Sequence, residues 1–103
     1  VGNLFESPEF SDVLNDSYIT GTVTATTSQI ELKVGGSPLV GRELLIIHNN
    51  GSKDIWIGPS GVTTSNGIPV EDGETITISV GQNLSVYAIT SSGTASVVVQ
   101  ELG

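Results

Sequence analysis

The amino-acid sequence predicts an all-β domain: an antiparallel β-sandwich or small barrel of about seven short strands, preceded by an extended N-terminal arm. Three observations carry this. Apolar and polar residues alternate along most of residues 18–103. Turn dipeptides rich in Gly, Asn and Asp interrupt that alternation at short intervals. No stretch places its apolar residues at helical spacing.

Residues 1–17 (VGNLFESPEFSDVLNDS) stand apart. They hold Glu6, Glu9, Asp12 and Asp16 with no base, and follow neither periodicity. Leu4, Phe5, Phe10, Val13 and Leu14 are too apolar for a purely solvated leader, and the segment is too short to bury them alone. The expectation is an arm, residues 1–17, that lays these side chains on a neighbouring subunit. A single β domain over residues 18–103 follows it.

Ile19, Gly21, Val23 and Ala25 alternate with threonines, as in a half-buried strand. Ile30, Leu32 and Val34 alternate in the opposite parity, so Thr26-Thr27-Ser28 resets the face through a bulge or turn. Residues 44–47 are all apolar, which predicts a central strand covered on both faces. Asn50-Gly51 predicts a hairpin into residues 54–58, where Ile55 and Ile57 share one face and Trp56 takes the other. Residues 59–73 read as an irregular connection. Within it Asn66-Gly67 supplies a tight turn, Pro69 holds Ile68 and Val70 extended, and Thr63, Thr64 and Ser65 satisfy backbone groups. Residues 75–80, 84–90 and 94–102 complete the chain as a meander.

Composition narrows the function classes. Charged residues are 14% of the 103, against roughly 25% in an ordinary globular domain. Ser and Thr stand in their place, and a neutral surface packs against neighbours at little desolvation cost. Three basic residues, Lys33, Arg42 and Lys53, face eleven acidic ones for a net charge of −8. That balance excludes nucleic acid as a partner, because no basic cluster is present to neutralise phosphates. Anionic membrane surfaces are disfavoured for the same reason, and no apolar run reaches the about 20 residues of a spanning helix. Without cysteine there is neither a disulfide framework nor a thiolate metal site. Stability must come from the core, from partners or from oligomerisation.

The residues offer little chemistry. His48, the one histidine, lacks an accompanying nucleophile and carboxylate in any triad-like pattern. Glu71-Asp72-Gly73-Glu74 is the only dense acidic run outside the arm, and it departs from a calcium-loop pattern. The sequence therefore predicts no enzyme, no cofactor and no metal. Trp56 is the single side chain most suited to an interface: either it packs in the core and Ile55 and Ile57 face out, or it faces out itself and needs cover from another chain.

The order Gly41-Arg42-Glu43 leading into Leu44-Leu45-Ile46-Ile47-His48, then Asn49-Asn50-Gly51-Ser52, Ile55-Trp56-Ile57-Gly58, Val62-Thr63-Thr64-Ser65-Asn66-Gly67-Ile68-Pro69 and Gly73-Glu74 resembles small structural proteins of tailed bacteriophages. Val86-Tyr87-Ala88-Ile89 and a final valine-rich strand ending in Glu101 fit the same pattern, so the resemblance covers residues 41–103. It implies a virion component, most simply a capsid decoration or cement protein. The implied partners are the major capsid protein or another virion protein, and further copies of the chain in a homo-oligomer. A rival expectation from the residues is an adhesive or carbohydrate-binding module using Trp56 and Tyr87.

Overall fold

The computed structural model describes residues 16–103, and the arm residues Leu4, Phe5, Phe10, Val13 and Leu14 lie outside the described residues. Eight strands follow in order: β1 (Tyr18–Ala25), β2 (Ile30–Glu31), β3 (Leu44–Asn49), β4 (Ile55–Gly58), β5 (Ile68–Val70), β6 (Thr75–Ser79), β7 (Tyr87–Ile89) and β8 (Ala95–Leu102). They form two four-stranded antiparallel sheets, β1-β8-β3-β6 and β2-β7-β4-β5. The sheets do not close on one another, so the architecture is a sandwich and not a barrel. First pairs with last and inward from there: β1 with β8, β2 with β7, β3 with β6 and β4 with β5. One long hairpin folded across two sheets in this way has jelly-roll topology.

Four local expectations need correction. Residues 59–73 contain an eighth strand: Pro69 lies opposite Trp56, with Val70 opposite Ile55 and Ile68 opposite Ile57. A proline is tolerated there because β5 is an edge strand. Asn50-Gly51 is not a hairpin, since β3 and β4 belong to different sheets. Asn49 turns its side chain into the core, donating from Nδ2 to the carbonyls of Lys53 (2.8 Å) and Val70 (2.9 Å) and accepting the Gly51 N–H at Oδ1 (3.1 Å). That builds a corner between sheets. Gly51 is needed there for space, because a Cβ would fall 2.8 Å from Cα and Cβ of Ala95. Nor is the C-terminal third a meander: β6, β7 and β8 alternate between the sheets. β2 is also shorter than the alternation of residues 30–34 suggests, because the Val34 N–H is taken by the Glu101 carboxylate at 3.0 Å.

The inward positions form the core. Leu45, Ile47, Val97 and Val99 from the first sheet meet Ile55, Val70 and Ala88 from the second, with Leu32 filling in from beyond β2. All are closed to solvent. Burying each such aliphatic side chain contributes about 1.5–3 kcal/mol, which lets a short chain hold two sheets together without a disulfide.

One inward position is charged. Glu101 follows Val97 and Val99 on the inner face of β8, and meets Arg42 Nη1 at 2.8 Å with both side chains almost wholly buried. The carboxylate also accepts the N–H groups of Val34 (3.0 Å) and Leu39 (3.2 Å). Arg42 Nη2 donates to the carbonyls of Gly81 (2.9 Å) and Leu84 (2.8 Å). The pair thus ties the β2–β3 and β6–β7 connections to the last strand.

In the connection between β4 and β5, Asn66 Oδ1 accepts the Thr63 N–H at 2.7 Å, and Thr63 Oγ1 accepts the N–H groups of Ser65 and Asn66, each at 3.2 Å. Gly67 donates its N–H to the Thr63 carbonyl at 2.9 Å. A Cβ at Gly67 would lie 2.8 Å from Trp56 Cβ and 2.9 Å from the Thr63 oxygen, neither of which can move freely.

Two outcomes are expected in chemical denaturation. Glu101→Gln should lose about 3–5 kcal/mol, because it strands a buried guanidinium. Replacing both members, as Arg42→Met with Glu101→Leu, should not restore stability, since the backbone groups they serve would lose their partners. Gly67→Ala should cost about 1–3 kcal/mol by overpacking, whereas Gly36→Ala, with open space around it, should change little.

Candidate interaction surface

The alternation that sends Leu45, Ile47 and Asn49 inward sends Leu44, Ile46 and His48 outward on β3. Register places Leu102, Gln100 and Val98 of β8 opposite them. On the far sides lie Tyr18, Thr20, Thr22 and Thr24 of β1 and Thr75, Thr77 and Ser79 of β6. This outer face of the first sheet carries no Asp, Glu, Lys or Arg. Leu44, Ile46, Val98 and Leu102 form a half-buried apolar centre, and the threonines form exposed flanks. The four apolar residues in a row predict a strand covered twice; the strand is central, but its second side is this open face.

Several of the polar groups on the face are paired within it. Tyr18 Oη donates to Gln100 Oε1 (2.6 Å), Gln100 Nε2 donates to Thr20 Oγ1 (3.3 Å), and His48 Nδ1 and Thr75 Oγ1 lie 2.7 Å apart. Groups already bonded to one another lose little when water is removed, so this face can be covered cheaply. Four strands at their usual spacing and length span roughly 450 Å², about half of one partner's share in a standard interface of about 800 Å² per side. A stable complex therefore needs further contacts. Asp16 and Ser17 both donate their N–H groups to the Gly103 carbonyl, which fixes the junction with the arm beside Tyr18 and Leu102, at the corner of this same face.

The second sheet's outer face differs. Ile55 and Ile57 are buried and Trp56 points out, half-buried, beside Pro69 and Ile89 in register. Tyr87 lies on the same face opposite Gly58 and Glu31. Of the residues singled out in the sequence, Asn66, Gly67, Ile68, Pro69 and Val70 form a structural turn and edge strand beside β4, with Gly67 and Pro69 next to Trp56 and Val70 in the core. They do not join the neutral face, which is on the opposite sheet. No single residue marks that neutral face in the sequence. Its signal is the threonine alternation of β1 and β6 together with the double-sided apolarity of β3.

Among the described residues His48 has only the Thr75 hydroxyl as a side-chain partner, and no carboxylate backs it. Among the described residues no group of three or more His, Asp or Glu side chains is placed to hold a metal ion. In the acidic corner, Glu74 Oε1 accepts the Glu71 N–H at 2.8 Å and Gly73 takes a positive φ of 85°, as a self-capped turn does. No helix among the described residues is long and apolar enough to cross a membrane.

No protein-family model matches the chain. Among solved structures it is similar to protein NMB1881 from Neisseria meningitidis, with a TM-score of 0.53 and 11% identity over 88% of this chain and 85% of that one. A second similar structure is of Bacillus endospore appendages, described as a family of disulfide-linked pili, with a TM-score of 0.44 and 14% identity over 86% of this chain and 87% of that one. At such identities the first likeness is one of fold, and the second is looser still.

Proposed function

We propose that this chain is a non-enzymatic structural protein of a tailed-phage particle, a decoration or cement protein that docks on the major capsid protein or another virion protein. The observation that carries the reading is the uncharged, apolar-centred outer face of the first sheet, on which some of the polar side chains bond to one another. In a chain of net charge −8, a whole sheet face without a formal charge among the described residues marks a surface suited to being covered. The jelly-roll order supports the reading by analogy, because viral capsid proteins use that fold repeatedly. So does the resemblance of residues 41–103 to phage structural proteins. In this reading the sheet face supplies a flat docking area, and Leu4, Phe5, Phe10, Val13 and Leu14 of the arm supply the remaining apolar contact. Many weak copies on one lattice then reinforce the particle collectively.

A second reading, a carbohydrate-binding or adhesive module, is favoured by Trp56 and Tyr87 sharing the outer face of the second sheet. Lectin domains also use jelly rolls.

The two readings separate by co-sedimentation with empty heads of the phage that encodes the chain. Ile46→Lys should weaken binding by about a hundredfold or more, since it buries an unpaired charge in the contact, while circular dichroism and the unfolding midpoint stay close to the parent's. Deleting residues 1–17 should weaken binding sharply as well. Trp56→Ala should leave head binding unchanged; if instead it abolishes retention on a glycan array and Ile46→Lys has no effect on heads, the carbohydrate reading replaces this one.

A further inference from the structure

We propose that copies of this chain join head to tail through the edges of the first sheet, β1 of one copy pairing antiparallel with β6 of the next. The proposal stands apart from the docking reading, since it uses the sheet's edges and not its face. Sandwich edges normally carry protection against such pairing: charge, proline or extreme shortness. The second sheet has it, with Pro69 on β5 and a β2 of only two residues. Among the described residues the first sheet does not. β1 (YITGTVTA) and β6 (TITIS) contain no charged residue and no proline, and β1 presents an edge of eight residues.

Direction also fits. Neighbouring strands alternate in the order β1-β8-β3-β6, so β1 and β6 run oppositely. An even-stranded sheet placed beside a copy in the same orientation therefore continues its own antiparallel pattern without a two-fold axis. Thr and Ser on both outer faces form favourable cross-strand pairs, and the half-buried Ile76 and Ile78 of β6 meet half-buried Ile19 and Val23 of β1.

Apolar exposure completes the match. Between the β5 and β6 edges opens an apolar cleft of about 270 Å³ lined by Ile57, Ile68, Ile78, Leu84 and Val86. Ile68 and Leu84 are each 63% exposed. The opposite side of the sandwich, the β1/β2 edge, presents Ile30. Head-to-tail contact covers the cleft with that side. Two-fold pairing of β6 with β6 would set cleft against cleft, and pairing of β1 with β1 would leave both clefts open.

The absence of cysteine makes the test clean. Full-length Thr22→Cys and Thr77→Cys proteins, one isotopically labelled, are mixed and treated with a flexible bis-maleimide. The expected main product is a covalent dimer of unlike variants, bridged from position 22 of one to position 77 of the other. Dimers of like variants as the main product, or no cross-linked dimer, would overturn the proposal. A second variant, Ile68→Lys with Leu84→Lys, should sediment at lower mass than the parent across the micromolar range with an unchanged circular dichroism spectrum. A parent that is monomeric throughout that range, or a variant that associates equally well, also overturns it. Head binding through Ile46 is read separately, so either interface can fail without the other.

Discussion

The buried pair of Arg42 and Glu101 is the constraint on which the rest of the sandwich rests. An ion pair removed from water is not in itself a strong source of stability. Its value here is positional. Glu101 gathers the backbone of Val34 and Leu39, and Arg42 gathers that of Gly81 and Leu84. Two long connections that would otherwise need hydrophobic anchors of their own are thereby held to the end of β8. The cleft beneath β6 owes its shape to the same pair, because Leu84 is fixed through its carbonyl while its side chain stays exposed.

Charge is distributed with a consequence for association. The chain places one of its three bases in the core, and among the described residues no acid lies on the outer face of the first sheet. Repulsion between molecules of net charge −8 then acts over about a Debye length, about 8 Å at physiological salt. Contact through the neutral face and edges keeps like charges farther apart than contact elsewhere would, which lowers the repulsion that association has to overcome.

Much of the fold can be read from the residues, and the misses have definite causes. Period-two alternation marks β1, β6 and β8, and an apolar run marks β3; in β4 alternation separates Trp56 from Ile55 and Ile57, but which of these faces outward is settled only by the fold. Alternation says nothing of which sheet a strand joins, so the corner at Asn50-Gly51 has the same local signature as a hairpin. There the deciding interaction is the inward Asn49 amide, a tertiary event. β5 is hidden by Pro69, which normally argues against a strand and is tolerated only at an edge. The inward position of Glu101 is legible from the run Ala95, Val97, Val99, yet its partner Arg42 lies far off in sequence and only the fold brings them together. As for the neutral face, its threonines are visible as strand residues, but their union across four strands depends on the β1-β8-β3-β6 order.

That order also governs when the molecule can come into being. β1 finds its only described partner in β8, with Tyr18 opposite Leu102 and Ala25 opposite Ala95. β2 and β7, and β3 and β6, nest inside the same way. β1 must therefore wait for β8, and the first sheet stays incomplete until that strand has been made. Contacts so distant in sequence form slowly, and meanwhile uncharged segments such as TITIS are exposed to one another. The sparse charge that suits the finished surface gives no protection in that interval. Assembly of the first sheet is thus a late event, and the yield of native protein depends on how crowded the unfolded chains are meanwhile.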